Sequence, residues 1–298
     1  MVFSSVRLAG DGAPTLDCYV LDPSIATGRK KSRSAVVICP GGGYLKTATR
    51  EGEVVAARFL GMGYDAFVLR YHTYVVGPPR RAGELPVCDP RSHYSLQVVD
   101  LMRAMAYVRS HASEWGIREE RIYALGFSAG GHVVGSLAER WDDAELLGMA
   151  GSTADEVRPR GVLLCYPMVN GRLVREAAAI AGMSAVTSAT LLSHALFGKD
   201  VPSAEDYDRV DLSLHIRPDM PRMFVWQTAE DELLHAEDTV SFVAGAMEAG
   251  VSCELHVFQR GEHGMSLCDR TSSSREADVD DAAARWVGLA QTWLGLDE

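Results

Sequence analysis

The chain has 298 residues, 47% of them hydrophobic, which is enough to bury one large α/β core or two smaller ones and speaks against a disordered tract. Its 29 basic and 40 acidic side chains leave a formal charge of −11, which argues against a nucleic acid or an anionic membrane surface as partner. No segment approaches the apolar length of a bilayer span, and the amino terminus lacks a charged region followed by a long apolar run, so a soluble, cytoplasmic protein is expected.

In chain order, residues 3–8 and 15–21, divided by Gly10-Asp-Gly-Ala-Pro14, predict a β-hairpin at a sheet edge. Strand-like SAVVIC (34–39) then leads into the glycine turn Pro40-Gly-Gly-Gly-Tyr44 and a helix over about 51–62. DAFVLRY (65–71), a long helix over about 94–111 and the bulky segment RIYAL (121–125) come next. Val133, Val134, Leu137 and Ala138 recur at helical spacing. GVLLCY (161–166), MFVWQT (223–228), a helix over about 236–249, CELHVF (253–258) and a last amphipathic helix over about 277–294 complete the series. Continuously apolar strands alternating with helices predict one domain, residues 1–298, around a mostly parallel sheet covered on both faces.

Two segments interrupt the alternation. Residues 72–93 are too long and too rich in Gly and Pro for a plain connection. Residues 167–220 carry short helical pieces around 175–181 and 190–197. Ligands of open α/β sheets bind beyond the carboxyl ends of the strands, where both segments should emerge, so they are expected as pocket wall and lid. The six cysteines (Cys18, Cys39, Cys88, Cys165, Cys253, Cys268) show no C-x-x-C or metal-ligand spacing; they are expected as small buried hydrophobes, with no metal.

The stretch Gly126-Phe-Ser-Ala-Gly130 sets Ser128 where a strand turns sharply into a helix, the pattern of a G-x-S-x-G nucleophile elbow. Glycines two residues to either side allow strand and helix to pass closely. A serine hydroxyl needs a base, and histidine is the usual one. Of nine histidines, His263 alone lies in a glycine-bracketed loop, Gly261-Glu-His-Gly264, directly after the last predicted strand. His256 falls inside that strand, and His111 and His194 fall on helices. His132 follows the elbow within its helix and is expected to bond the interior and take no part in the chemistry. The acid that orients the imidazole is sought in Ala229-Glu-Asp-Glu-Leu-Leu-His235, where Asp231 is chosen and Glu230 and Glu232 are expected to be solvated. The order Ser128, Asp231, His263 differs from the chymotrypsin and subtilisin orders. Oxyanion donors are expected from the backbone of Gly42 and Gly43 and from the Ala129 N–H. The glycine run fits neither G-x-G-x-x-G nor a Walker A loop, so no nucleotide is expected.

PGGGY, GYDAFVLRY, RIYALGFSAGGH, TAEDELL and GEHGMSL together resemble the α/β-hydrolase superfamily, and within it the bacterial acetyl-xylan-esterase-like carbohydrate esterases related to the hormone-sensitive-lipase branch. The similarity runs over about residues 34–294. It implies an α/β-hydrolase fold with about eight strands, and a serine esterase that removes short acyl groups, often acetyl, from sugars or small alcohols without a cofactor. Ser128 then corresponds to the nucleophile, Asp231 to the acid, His263 to the base, and Gly42 and Gly43 to the oxyanion glycines. Pro40 replaces the histidine of lipase-type HGGG, His235 stands where many relatives have proline, and a long amino-terminal cap is missing, which leaves 167–220 to roof the pocket. A serine amidase or peptidase and a non-catalytic small-molecule binder on the same scaffold are the alternatives. The expected partner is a small ester, an acetylated sugar among the candidates, and the sequence leaves a homo-oligomer open.

Overall fold

Alternation along the strands builds the centre of the molecule. In the strand Arg33–Cys39, Ala35, Val37 and Cys39 face one layer of helices and Val36 and Ile38 the other, all five buried. A strand covered on both sides has no solvent face to polarise, so from Ala35 on its residues are apolar on both faces. The computed structural model describes residues 1–10, 14–22, 32–81, 83–175, 185–273 and 275–295.

The first elements are β1 (Val2–Arg7), β2 (Thr15–Val20), β3 (Arg33–Cys39), α1 (Glu53–Gly61), β4 (Asp65–Arg70), β5 (Val75–Gly77) and β6 (Val87–Cys88). The middle holds α2 (Leu96–Ser110), α3 (Ala112–Trp115), β7 (Ile117–Phe127), α4 (Ala129–Arg140), α5 (Ala144–Ala150), α6 (Ala154–Val157) and β8 (Gly161–Cys165). After these come α7 (Arg172–Arg175), α8 (Ala185–Phe197), α9 (Ala204–Arg209), β9 (Arg222–Thr228), α10 (Ala236–Glu248), β10 (Cys253–Phe258) and α11 (Trp286–Gly295).

An eight-stranded sheet runs in the order β1-β2-β4-β3-β7-β8-β9-β10. From β4 to β10 all neighbours are parallel, and only the amino-terminal hairpin, β1 on β2 and β2 on β4, is antiparallel. Helices α2, α4 and α10 bury Met102, Leu137 and Phe242 against one face. On the other, α1 and α11 bury Phe59, Trp286 and Trp293, and Trp286 stacks on Trp226 of β9 with ring centroids 5.5 Å apart.

Three stretches depart from the sequence expectation. The helix expected over 277–294 starts only at Trp286, after 3-10 turns at Glu276–Asp278 and Ala283–Arg285. Side-chain bonds compete with helix here: buried Asp278 pairs with Arg50 and Arg275, and the Asp280 carboxylate takes the Ala283 N–H. The segment 72–93 contains the two-stranded ribbon β5–β6, and at its start the Tyr74 and Val75 N–H groups donate to the carbonyls of Tyr44 and Leu45. It backs the glycine turn after β3. The helical piece expected around 175–181 lies, beyond Arg175, outside the described residues, whereas the piece around 190–197 falls within α8.

Candidate active site

Ser128 sits between β7 and α4 with φ 53° and ψ −120°, a left-handed conformation that costs a non-glycine residue about 1–3 kcal/mol unless its surroundings enforce it. They do so through three backbone bonds: Ser128 N–H donates to the Cys165 carbonyl at 3.0 Å, and the Ser128 carbonyl accepts from Met168 at 3.0 Å and His132 at 3.1 Å. The glycines explain the tightness of the turn. A Cβ on Gly126 would lie 2.1 Å from the Gly130 carbonyl oxygen, one on Gly130 2.1 Å from that of Cys39, and one on Gly131 2.9 Å from Pro167. Sheet and helix touch through bare backbone.

The parallel sheet brings the other two expected side chains to the same end. His263, in the loop after β10, places Nε2 2.8 Å from Ser128 Oγ and Nδ1 2.7 Å from Asp231 Oδ2. Asp231 follows β9, its side chain fully buried, and its Oδ1 accepts the N–H groups of Leu233 and Leu234 at 2.9 Å each. With one oxygen held by backbone donors, the other is aimed at the imidazole. A carboxylate can only accept, so Nδ1 carries the proton and Nε2 is left with its lone pair toward the serine. Glu230 and Glu232 are exposed, Glu230 accepting the Gly261 N–H at 3.2 Å. His235 caps α10 with φ −59°, the value a proline would take, so its presence leaves the Asp231 turn undisturbed.

Gly42, Gly43 and Tyr44 follow one another at φ 125°, 63° and 62°, a run that β-branched residues could not adopt. Gly42 and Gly43 line the cleft beside Ser128, and Ala129 opens α4, where the first helical N–H groups have no partner within the helix. The cleft, about 370 Å³, is walled mainly by Leu45, Leu173, Leu192 and Leu233, with Lys46 and Arg50 contributing charge. Leu173 and Leu192 come from the 167–220 segment, and no described residue of 72–93 reaches the lining. Among the described residues no cluster of His, Cys, Asp and Glu is arranged to hold a metal ion, and no helix is long and apolar enough to cross a membrane.

The sequence reading missed two side chains at the site. Glu51 is 2% exposed yet lines the cleft, and accepts from Gly41 N–H at 2.6 Å and from the Tyr166 hydroxyl at 2.7 Å. Burial pushes its carboxyl above the usual range, and the two hydrogen bonds oppose that rise. In sequence, Glu51 lies among Arg50 and Glu53 and looks like the charged start of a solvated helix. Tyr166, with φ 36°, packs T-shaped against His263 with ring centroids 5.2 Å apart.

Residues 88–267 match the model of a family described as alpha/beta hydrolase fold. The match takes in more than half of the chain, and the chain belongs to that family. It is 29% identical over 242 residues to endo-1,4-beta-xylanase B of Butyrivibrio fibrisolvens, covering 80% of this chain and 33% of that protein. It is 26% identical over 167 residues to an acetylxylan esterase of Xylanibacter ruminicola, covering 56% of this chain and 28% of that one. The chain thus spans about a third or less of the length of these relatives. A carboxylesterase from Lactobacillus plantarum superimposes with a TM-score of 0.78 at 23% identity, over 100% of this chain and 98% of that one.

Proposed function

We propose that the protein is a serine carboxylic ester hydrolase that removes short acyl groups, acetyl foremost, from sugars or xylo-oligosaccharides. The observation that carries the reading is the continuous relay Ser128 Oγ, His263 Nε2, His263 Nδ1, Asp231 Oδ2, with links of 2.8 and 2.7 Å. Ser128 attacks the ester carbonyl as His263 takes its proton, and Asp231 steadies the imidazolium. The N–H groups of Gly42, Gly43 and Ala129 receive the oxyanion, helped by the positive end of the α4 dipole. Collapse of the tetrahedral adduct expels the alcohol, protonated by His263. Water, deprotonated by the same histidine, then releases the acid and restores the serine. The acetylated-sugar part of the reading draws on the relatives, one named as an acetylxylan esterase and one as a xylanase, and on a leucine-walled cleft suited to a small acyl group.

The test is hydrolysis of p-nitrophenyl acetate and butyrate by the wild type and by Ser128→Ala, both checked for folding by circular dichroism. Acetate cleaved faster than butyrate, and a loss of about four or more orders of magnitude in the folded alanine variant, support the reading. Acetate release from acetylated xylo-oligosaccharides then tests the leaving group. A folded wild type inert to every ester, or an alanine variant that keeps its rate, overturns it.

A further inference from the structure

The turn Thr49–Glu51 lies between the two loops that the proposed chemistry needs, and it is tied to both. Toward the glycine turn, Glu51 Oε2 takes the Gly41 N–H at 2.6 Å. A Cβ on Gly41 would sit 2.8 Å from Ser128 Cβ and 2.9 Å from Glu51 Oε2, so the absent side chain is what lets the carboxylate back the nucleophile's own turn. Toward the histidine loop, Oε1 takes the Tyr166 hydroxyl proton at 2.7 Å, while the same hydroxyl accepts the Ser266 N–H at 2.9 Å. A second link runs alongside, the Ser266 hydroxyl donating to the Arg50 carbonyl at 2.6 Å.

We propose that Glu51 is a positioning residue: one buried carboxylate sets the oxyanion turn and the histidine loop in a single geometry, so that the Gly42 and Gly43 donors and the His263 ring meet the same substrate atom correctly. The inference rests on the serine-esterase reading. Both oxygens of Glu51 accept, and each of its donors is committed: the Gly41 N–H cannot reverse, and the Tyr166 hydroxyl already accepts from Ser266. Glutamine supplies one acceptor and one donor. Whichever way its amide is turned, an N–H faces Gly41 N–H or the Tyr166 hydroxyl loses its acceptor, and that mismatch is buried. The substitution keeps shape and volume while unfastening one loop.

The experiment compares wild type, Glu51→Gln, Tyr166→Phe and the double variant in the full chain, measuring kcat and KM for p-nitrophenyl acetate and the unfolding midpoint. Glu51→Gln is expected to lower kcat by about 10²-fold, the scale of one misplaced oxyanion donor, with KM changed less than about twofold. Tyr166→Phe, which leaves Gly41 fastened and releases Ser266, is expected to lower kcat by about tenfold. The double variant should fall no further than Glu51→Gln, because both act through one chain of bonds. A folded Glu51→Gln with wild-type kcat, or a loss confined to KM, overturns the inference. If Glu51→Gln fails to fold, Tyr166→Phe decides: a tenfold loss in kcat at constant KM upholds the positioning chain, and wild-type kcat refutes it. A wild type without esterase activity whose Ser128 also ignores a fluorophosphonate probe refutes the esterase reading itself, and this inference with it.

Discussion

The hydroxyl of Tyr44 lies 2.6 Å from Nδ1 of His132, and Nε2 of the same ring lies 2.7 Å from the Val210 carbonyl oxygen. A carbonyl only accepts, so Nε2 holds the proton and Nδ1 receives the tyrosine's. One fully buried neutral histidine thereby joins the glycine turn, the elbow helix α4 and the segment after α9. Burial lowers its pKa from 6.5 to about 4, against the smaller opposing effect of the Val210 carbonyl.

That depression sets the sign of a pH effect on stability. Between about 6.5 and about 4 the unfolded chain binds a proton at this position and the folded chain does not, so the contribution of His132 is complete above 6.5 and is lost as pH falls toward 4. The loss is about 3 kcal/mol in full. Urea unfolding of wild type and His132→Phe at pH 7, 5.5 and 4.5 should find the wild type losing stability more steeply than the variant. At pH 7 the variant should be weaker by about 1–3 kcal/mol, since the Tyr44 hydroxyl and the Val210 carbonyl lose their partner. Parallel slopes would mean that His132 takes up its proton as readily in the folded chain as in the unfolded one.

Asp231→Asn should retain the bonds from Leu233 and Leu234 to its oxygen and present an amide N–H to His263. Donor then faces donor at Nδ1, the ring is driven to the other tautomer, and the serine loses its acceptor. A fall in kcat of about 10⁴ with an unchanged unfolding midpoint is expected, read from p-nitrophenyl acetate kinetics. An activity loss below about tenfold would point to another acid.

Gly130→Ala should be far worse for the fold than a typical helix substitution. Its methyl carbon would approach the Cys39 carbonyl oxygen to 2.1 Å and the Pro40 carbonyl oxygen to 2.6 Å, both of them backbone atoms. The cost should reach or exceed the upper end of the roughly 1–3 kcal/mol usual for overpacking, seen as a lowered denaturant midpoint. Gly148→Ala is the control, for nothing lies within 4 Å of its added carbon.

Leu192→Ala tests the wall of the cleft. Its Cδ2 lies 3.2 Å from where a Gly43 Cβ would be, so it packs against the glycine turn beside Ser128. Trimming it should raise butyrate over acetate preference by roughly tenfold in kcat/KM, the order expected for a change of one or two methylenes of space. An unaltered ratio would put the acyl group elsewhere in the cleft.

Much of this architecture was legible because its signals are local. The buried strands are continuously apolar, and Ser128, Asp231 and His263 each follow a strand at a turn. Asp231 is chosen among three adjacent carboxylates, and the fold buries it while leaving Glu230 and Glu232 exposed. Other features depend on partners distant in sequence. Glu51 meets Tyr166 across 115 positions, and nothing near Glu51 announces a buried carboxylate. The late start of α11 hangs on Asp278 meeting Arg50, 228 positions away. Helices α5, α6 and α9 have too few residues for periodicity to register, and rest on caps such as Asp143 and Ser203.

The three backbone bonds that hold Ser128 in its left-handed turn have a practical meaning for engineering. Ser128 is indexed to β8 and the residues just past it as much as to its own strand, through Cys165 and Met168. Libraries that seek new acyl or alcohol preferences can therefore start from exposed Leu233 and half-buried Leu45 and Leu173, whereas Leu192 is core as well as wall, and diversity introduced between Cys165 and Met168 would disturb the turn that holds Ser128.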